Sequence, residues 1–390
     1  MDRVSLPFLA PMTAITDNKG LVNARVEIDP TGSQTASAPL RGAEPVKTAQ
    51  IPTGHREIGP TASLTPASPL HGAVTVSPTP TLRLNLLRWV DSWAGAQDIP
   101  RDAPQKIDWT RCLPFLAIHL ACFGVIWVGW SWFAVTWALA LYALRMLAIT
   151  GFYHRYFSHK SFKTSRVFQF VLAVAGNSAA QRGPLWWAGH HRHHHQESDQ
   201  PDDVHSPKHH GFLWSHMGWI MSRSNFRTRL EHVPDLARCK ELRFLDRFDI
   251  LVPALVMIGS FGLGAALQAW APALGVTAMQ LTVWTVVSTV VLFHGTFTIN
   301  SLSHLFGSRR YDTPDTSRNN PLLAVITMGE GWHNNHHHSP RSARSGFAFY
   351  EFDPTWWMLL GLEKVGLIWD LSPVPVHVME RARIRGRDPR

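Results

Sequence analysis

Two stretches limit the folds open to this chain: residues 112–144 and 250–308 contain no Asp, Glu, Lys or Arg. A helix crossing the hydrocarbon core of a bilayer needs about 20 apolar residues at about 1.5 Å each. Residues 112–151 are about twice that length, and GWSW at 129–132 supplies a glycine and interfacial tryptophans for a tight turn. Residues 250–308 are also too long for one crossing, and WAPALG at 270–275 breaks them. The sequence therefore predicts two helical hairpins, with spans near 113–130, 132–151, 250–270 and 276–299. Trp127, Trp130, Trp132 and Trp270 fall where an interfacial aromatic belt would place them. The uncharged run 167–180 is too short to cross and reads as a helix at the membrane surface.

The formal net charge of +9 is segregated by these runs. Both hairpin turns lack Lys and Arg, whereas the opposite ends carry Arg101, Lys106, Arg111, Arg155, Lys160 and the basic segments 222–247 and 309–344. This positive-inside pattern places both ends of each hairpin in the cytosol, in a bacterial inner membrane or an endoplasmic reticulum. It accounts for much of the charge without a nucleic-acid partner. Cys112, Cys122 and Cys239 form no CxxC pair, which argues against a disulfide framework and a cysteine-based zinc site. The apolar core of MDRVSLPFLAPM is too short for a signal peptide.

Residues 1–105 form an N-terminal extension, and most of it is rich in Pro, Thr, Ser and Ala and reads as a disordered tail. Within it, LRLNLLRWVDSW at 82–93 has apolar residues at helical spacing. It suits a helix on a membrane surface or one packed on the domain. Residues 106–375 form the membrane domain and 376–390 a basic tail. The expected fold is all-α: an integral membrane four-helix, two-hairpin bundle with a cytosolic histidine-rich helical cap.

The 22 histidines are informative through their spacing. His154-Arg-Tyr-Phe-Ser-His159 is an HxxxxH; His191-Arg-His-His194-His195 and His333-Asn-Asn-His336-His337 are each an HxxHH; Asn300-Ser-Leu-Ser-His304 is a fourth element. Residues at i, i+3 and i+4 of a helix share one face, so each HxxHH aims three imidazoles at one point or at two adjacent metals. On an α-helix HxxxxH does not share a face and suits two ligands at a helix end. Each element lies just beyond an apolar segment, and only an even number of crossings per block brings all four to one side.

Imidazole suits Zn, Cu, Fe and Ni. A structural zinc site takes about four ligands, whereas the boxes and His304 offer nine, enough for two metals with an open position for water or O₂. Only Glu330-Gly-Trp-His333 matches the Glu-x-x-His pattern of soluble carboxylate-rich di-iron bundles, so a nitrogen-rich di-iron centre fits better.

Over residues 105–375 the sequence resembles the membrane fatty acid desaturases, in particular the acyl-CoA Δ9 (stearoyl-CoA) type, through HRYFSH, HHRHHH, NSLSHLFG and GEGWHNNHHHSP in that order. The resemblance implies insertion of a cis double bond into a long-chain saturated acyl group, using O₂ and two external electrons. It implies two irons held by His154, His159, His191, His194, His195, His304, His333, His336 and His337, with Asn300 acting through water. The HPGG haem motif of fused cytochrome b5 domains is not found, which points to a separate donor such as a ferredoxin, a cytochrome b5 or a reductase.

His190, His193 and His338 fall outside the motif positions. Asp202, Asp203 and His205 suit support of a ligand imidazole or surface salt bridging. His209, His210, His216 and His232 read as surface or structural. His119 and His294 lie within spans, where polar residues face the bundle interior; His294 suits the site, a tunnel or packing. Arg155, Lys160, Arg182 and Arg192 are candidates for contacts to an acyl carrier's phosphates. Two other readings stay open: a fatty acid or alkane hydroxylase, whose first box is commonly shorter, and a histidine-rich metal transporter.

Overall fold

The computed structural model describes residues 82–100 and 102–385; the expected tail over residues 1–81 lies outside them, as do residues 386–390. The chain divides into two units, residues 1–74 and 75–390, and every described residue belongs to the second. The described residues are mostly helical, with one two-stranded antiparallel ribbon, β1 (Lys163–Thr164) and β2 (Ile368–Trp369).

Short α1 (Leu82–Val90) precedes the first long apolar helix, α2 (Trp109–Val128). α3 (Trp132–Ser158) follows directly. The turn between them uses Gly129 at φ 65°, which favours glycine, and Ser131, whose hydroxyl accepts from Ala134 N at 3.1 Å and caps α3. α4 (Arg166–Asn177) and α5 (Pro184–Glu197) lie in the cap, and α6 (Lys240–Arg247) leads into α7 (Leu251–Trp270). Pro272–Leu274 and left-handed Gly275 turn the chain into α8 (Ala278–Leu305), capped by Thr277. α9 (Pro321–Ile326), α10 (His333–His338), α11 (Pro354–Lys364) and α12 (Val376–Arg385) complete the cap.

α2, α3, α7 and α8 are each long and apolar enough to cross a membrane. α3 and α8 run farther than the sequence suggests: α3 carries His154 on its π-helical end, and α8 reaches His304 after a one-residue break at Ser301. The tryptophans at the hairpin turns stand outward, Trp127 80 % and Trp270 86 % exposed, as anchors at an interface would. α4 is not among the spanning helices and leaves Val167 and Val171 exposed. α1 buries Arg88 and leaves Leu86, Leu87 and Val90 outward, while the following Asp91 pairs with Arg247 at 2.7 Å. It is therefore docked on the domain, with an outward apolar edge.

A charge lies midway along the bundle. Arg145 of α3 is buried and donates to Thr289 and Ser288 hydroxyls of α8, both at 2.7 Å, and to Leu141 O. These hydroxyls replace water around the guanidinium, as polar groups within a membrane require. Close approaches fix the cap. A Cβ at Gly176 of α4 would meet the Tyr153 ring at 2.2 Å, and one at Gly183 would meet Asp246 Cα at 2.3 Å. The second approach lets buried Asp246 accept from Leu185 N (2.9 Å) and Trp186 N (2.7 Å), capping the N-terminus of α5 from another segment.

Candidate metal centre

The nine motif histidines come together in two adjoining groups. His154, His159, His191, His195 and His336 form one, and His194, His304, His333 and His337 the other; the ligand atoms within each lie within 4.8 Å of one another. The two HxxHH boxes exchange imidazoles. α5 gives His191 and His195, at i and i+4, to the five-imidazole group and His194 to the other. α10 does the reverse: His333 and His337 join the four-imidazole group and His336 crosses over.

The first box departs from the α-helical expectation. Ile149–Ser158 winds as a π-helix. His159 N donates to His154 O at 3.2 Å, an i→i+5 bond, so residues five apart lie one turn above each other. The two rings sit 4.8 Å apart in one group rather than reaching around different sides of the site.

Neighbouring imidazoles meet through their Nε2 atoms: His154 and His336 at 3.0 Å, His195 and His336 at 2.9 Å, His159 and His191 at 2.8 Å, His304 and His333 at 3.2 Å. Metal–nitrogen bonds of about 2.0–2.1 Å put adjacent ligand nitrogens about 3 Å apart, so this spacing suits imidazoles around an ion. His337 Nε2 is buried with no hydrogen-bond partner, a donor atom suited to a metal. The nitrogen-only donor set excludes a hard-cation cage such as that of calcium. The residues present thus fit a transition metal in each group.

Four carboxylates stand behind the imidazoles. Glu330 Oε2 lies 2.7 Å from His154 Nδ1, Asp203 Oδ2 3.0 Å from His194 Nδ1, Asp199 Oδ2 3.2 Å from His304 Nδ1, and Asp315 Oδ2 2.6 Å from His337 Nδ1. Holding the proton on Nδ1 leaves the Nε2 lone pair for a metal. Burial opposes charge on Asp199, Asp203 and Asp315, but their imidazole and hydroxyl partners hold all three well below the usual carboxylate range. Burial, then neighbouring imidazoles, hold His159, His191, His195, His333 and His336 well below the usual imidazole value, so these rings are neutral at pH 7. Burial brings His337 down to about 4, against the pull of Asp315.

Sequence reasoning singled out Asp203 but missed Asp199, Asp315 and the orienting role of Glu330. Glu330 had a signal in its spacing from His333. Asp199 and Asp315 had none, since each meets its histidine only after folding. Asp202 offers His193 its backbone carbonyl and no carboxylate to a motif imidazole. His205 lies 3.4 Å from Asp203 Oδ1 and packs on His194 and Trp219.

The other histidines stay outside both groups. His190 contacts Arg227 O at 3.2 Å, and His338 stacks on Tyr311. His209 and His210 bond the backbones of Asp199 and Asp203, pinning the loop that supplies those carboxylates. His232 packs on His193. His119, His294 and His216 form a chain of ring contacts ending at Ser301.

Two cavities adjoin the groups, and neither is lined by His119, His216 or His294. The larger, about 290 Å³, has apolar walls from α2, α5 and α8 and reaches His191 and Asn300. The smaller, about 40 Å³, is bordered by His154, His191, His194, His333, Asn300 and Glu330, and also by Met146, Ile149 and Thr150. Trp187, His191, Thr296 and Asn300 line both, so the two cavities share a wall beside the histidines.

Residues 130–369 match the family model for fatty acid desaturases. The chain is 37 % identical to the sn-1 stearoyl-lipid 9-desaturase of Anabaena variabilis, over 67 % of this chain and 93 % of that protein. It is 34 % identical to the acyl-CoA 5-desaturase AL21 of Anemone leveillei, over 73 % and 89 %. It is 35 % identical to the sn-2 palmitoyl-lipid 9-desaturase of Nostoc sp. (strain 36), over 55 % and 73 %. The residue spacing, the four spanning helices and these matches agree: the chain belongs to the fatty acid desaturase family.

Proposed function

We propose that this protein introduces a cis-Δ9 double bond into long-chain saturated acyl groups, with acyl-CoA the carrier suggested by its motifs. Two irons are held by the nine histidines, five and four, with Asn300 acting through water. The observation that carries this reading is the convergence of nine imidazoles into two groups beside an apolar cavity. The cap faces the cytosol, as the charge pattern suggests.

An unactivated methylene has no proton that a side-chain base can remove. Bound iron supplies the O₂-dependent oxidising chemistry that side chains lack. Two hydrogens leave adjacent methylenes, and two electrons and two protons come from outside, so one O₂ becomes two waters and one C–C bond becomes C=C. The electrons come from a separate donor, a ferredoxin, cytochrome b5 or reductase.

The protein's own task is position. Each methylene withdrawn from water contributes about 0.8 kcal/mol, ample for a long chain to fix its register. Phe115, Ile118, Phe293 and Phe297 provide the apolar wall, and Trp187 and Thr296 line both this cavity and the small one beside the histidines. Glu330, Asp203, Asp199 and Asp315 orient the imidazoles.

All four cations suggested for phosphate contacts have acidic partners, Arg182 pairing with Asp249 at 3.2 Å. Arg155 is buried between Glu330 (3.1 Å) and Asp353 (2.8 Å). Arg192 and Lys160 both pair with Asp235, at 2.7 and 2.9 Å. Arg182 alone of the four lines the large cavity.

The test is expression in a host lacking unsaturated fatty acids, with iron and a donor supplied, and double-bond mapping by mass spectrometry. A new Δ9 alkene is expected. No alkene would remove the proposal, and a hydroxylated chain would favour a hydroxylase.

A further inference from the structure

We propose that the large cavity ends in an anion-binding subsite built from Arg111 and Arg182, which selects acyl carriers bearing a carboxylate or phosphate over neutral glycolipids. The proposal rests on the acyl-desaturation reading and concerns the polar end of the same substrate.

The cavity is apolar along most of its length, yet Arg88, Arg111 and Arg182 line one region of it, with Asp249 the one carboxylate among the lining residues. Arg111 stands in the first turn of α2, is 8 % exposed, and lays its guanidinium 4.3 Å over the Phe226 ring. Among the described residues its guanidinium meets a single hydrogen-bond acceptor, Ser92 O at 2.6 Å, and no carboxylate within salt-bridge distance. A guanidinium carries five N–H donors, and Arg111 lines the cavity, so it keeps donor capacity for a ligand bound there.

Arg182 is held differently. Its Nε faces Asp249 Oδ2 at 3.2 Å, its Nη2 donates to Phe226 O at 3.1 Å, and its guanidinium lies 5.2 Å from the Trp186 ring. Its backbone adopts φ 71°, a left-handed conformation disfavoured in a residue with a side chain. Ser92 Oγ also donates to Asp249 at 2.6 Å, so the one acid is shared and does not neutralise both arginines. Trp89, Trp186, Trp219 and Phe226 surround these groups and lower the local dielectric, strengthening attraction for an anion.

The same cavity reaches His191 and Asn300. It therefore presents cations and metal-facing residues to one ligand, and the proposal gives a bound acyl chain one polarity: anionic group at Arg111 and Arg182, methylenes toward the histidines. A neutral sugar head would leave these buried cations without a counter-charge, a costly arrangement.

The test uses purified, iron-loaded enzyme and has a binding arm and a turnover arm. In the first, thermal stability is measured with stearate and with stearyl alcohol, which differ only in the anionic group. Stearate should raise Tm more, and Arg111→Gln should remove the difference while Arg111→Lys keeps part of it. Circular dichroism and iron content confirm that the variants are folded. In the second, stearoyl groups are offered as free acid, CoA thioester, phosphatidylglycerol and monogalactosyl lipid, which separates carboxylate from phosphate sources. An anionic form should be preferred at least tenfold in kcat/KM, with Arg111→Gln and Arg182→Gln losing that preference mainly through KM. Equal Tm shifts from acid and alcohol, or a galactolipid used as well as every anionic form, would overturn the proposal. Failure to desaturate any carrier would overturn the desaturase reading, while the binding arm still decides the subsite.

Discussion

The two histidine groups are built from the same ligand in unlike surroundings. Behind the five-imidazole group stands one carboxylate, Glu330, already shared with Arg155, which also binds Asp353. Behind the four-imidazole group stand three, Asp203, Asp199 and Asp315, one for each of His194, His304 and His337. The first group has more nitrogens and a charge-compensated surround. The second has fewer nitrogens and a strongly anionic one. Ligand number and outer charge thus trade against each other, so two metals held here would be inequivalent, the more anionic surround of the four-imidazole group suiting the more highly charged ion.

Removing a ligand should have the largest effect. His194→Ala and His159→Ala, one from each group, should each abolish turnover. Iron analysis should show loss from the group that was cut. His193→Ala, in the same box but outside both groups, should keep its iron. Retention of activity by His194→Ala would break the assignment.

Arg155→Met tests the compensated side. It leaves Glu330 and Asp353 buried without their cation, a loss of about 3–5 kcal/mol for a broken buried pair. A large drop in Tm is expected, and an unchanged Tm would show that the network carries no strong coupling.

Carboxylate substitutions sharpen the contrast. Asp199→Asn or Asp315→Asn should weaken metal retention at the four-imidazole group about 10–100-fold, read by timed chelation. The five-imidazole group should be little altered. Equal loss from both groups would contradict the division.

The smallest effect concerns pH. The neutral, low-pKa histidines of both groups take up protons on unfolding, where an ordinary imidazole titrates near about 6.5. The unfolded chain then binds more protons, so metal-free stability should fall as pH drops below about 6.5. The depressed carboxylates add a further loss only below about pH 4. A Tm that is flat from pH 7.5 to 5.5 would contradict the neutral assignment.

The parts of this site legible in sequence are those set by local periodicity. His191, His194 and His195 follow from helical spacing, as do His333, His336 and His337. The absence of charge over 112–144 and 250–308 marked the hairpins. What needed three dimensions is set by tertiary placement. The π-turn that sets His159 edge-on to His154 contradicts an α-helical count. Asp199 reaches His304 across 105 positions. Arg155 and Arg192, exposed-looking cations in sequence, are turned inward by acids from other segments. Arg111 reads as one more positive-inside residue until the fold places it in the cavity.

The central claim is a two-metal centre with unlike halves. Mössbauer spectroscopy of protein loaded with ⁵⁷Fe, together with elemental analysis, tests it most directly. Two irons per chain in two distinct environments of equal area are expected. One iron per chain, a different metal at stoichiometric level, or two irons in a single environment would contradict it.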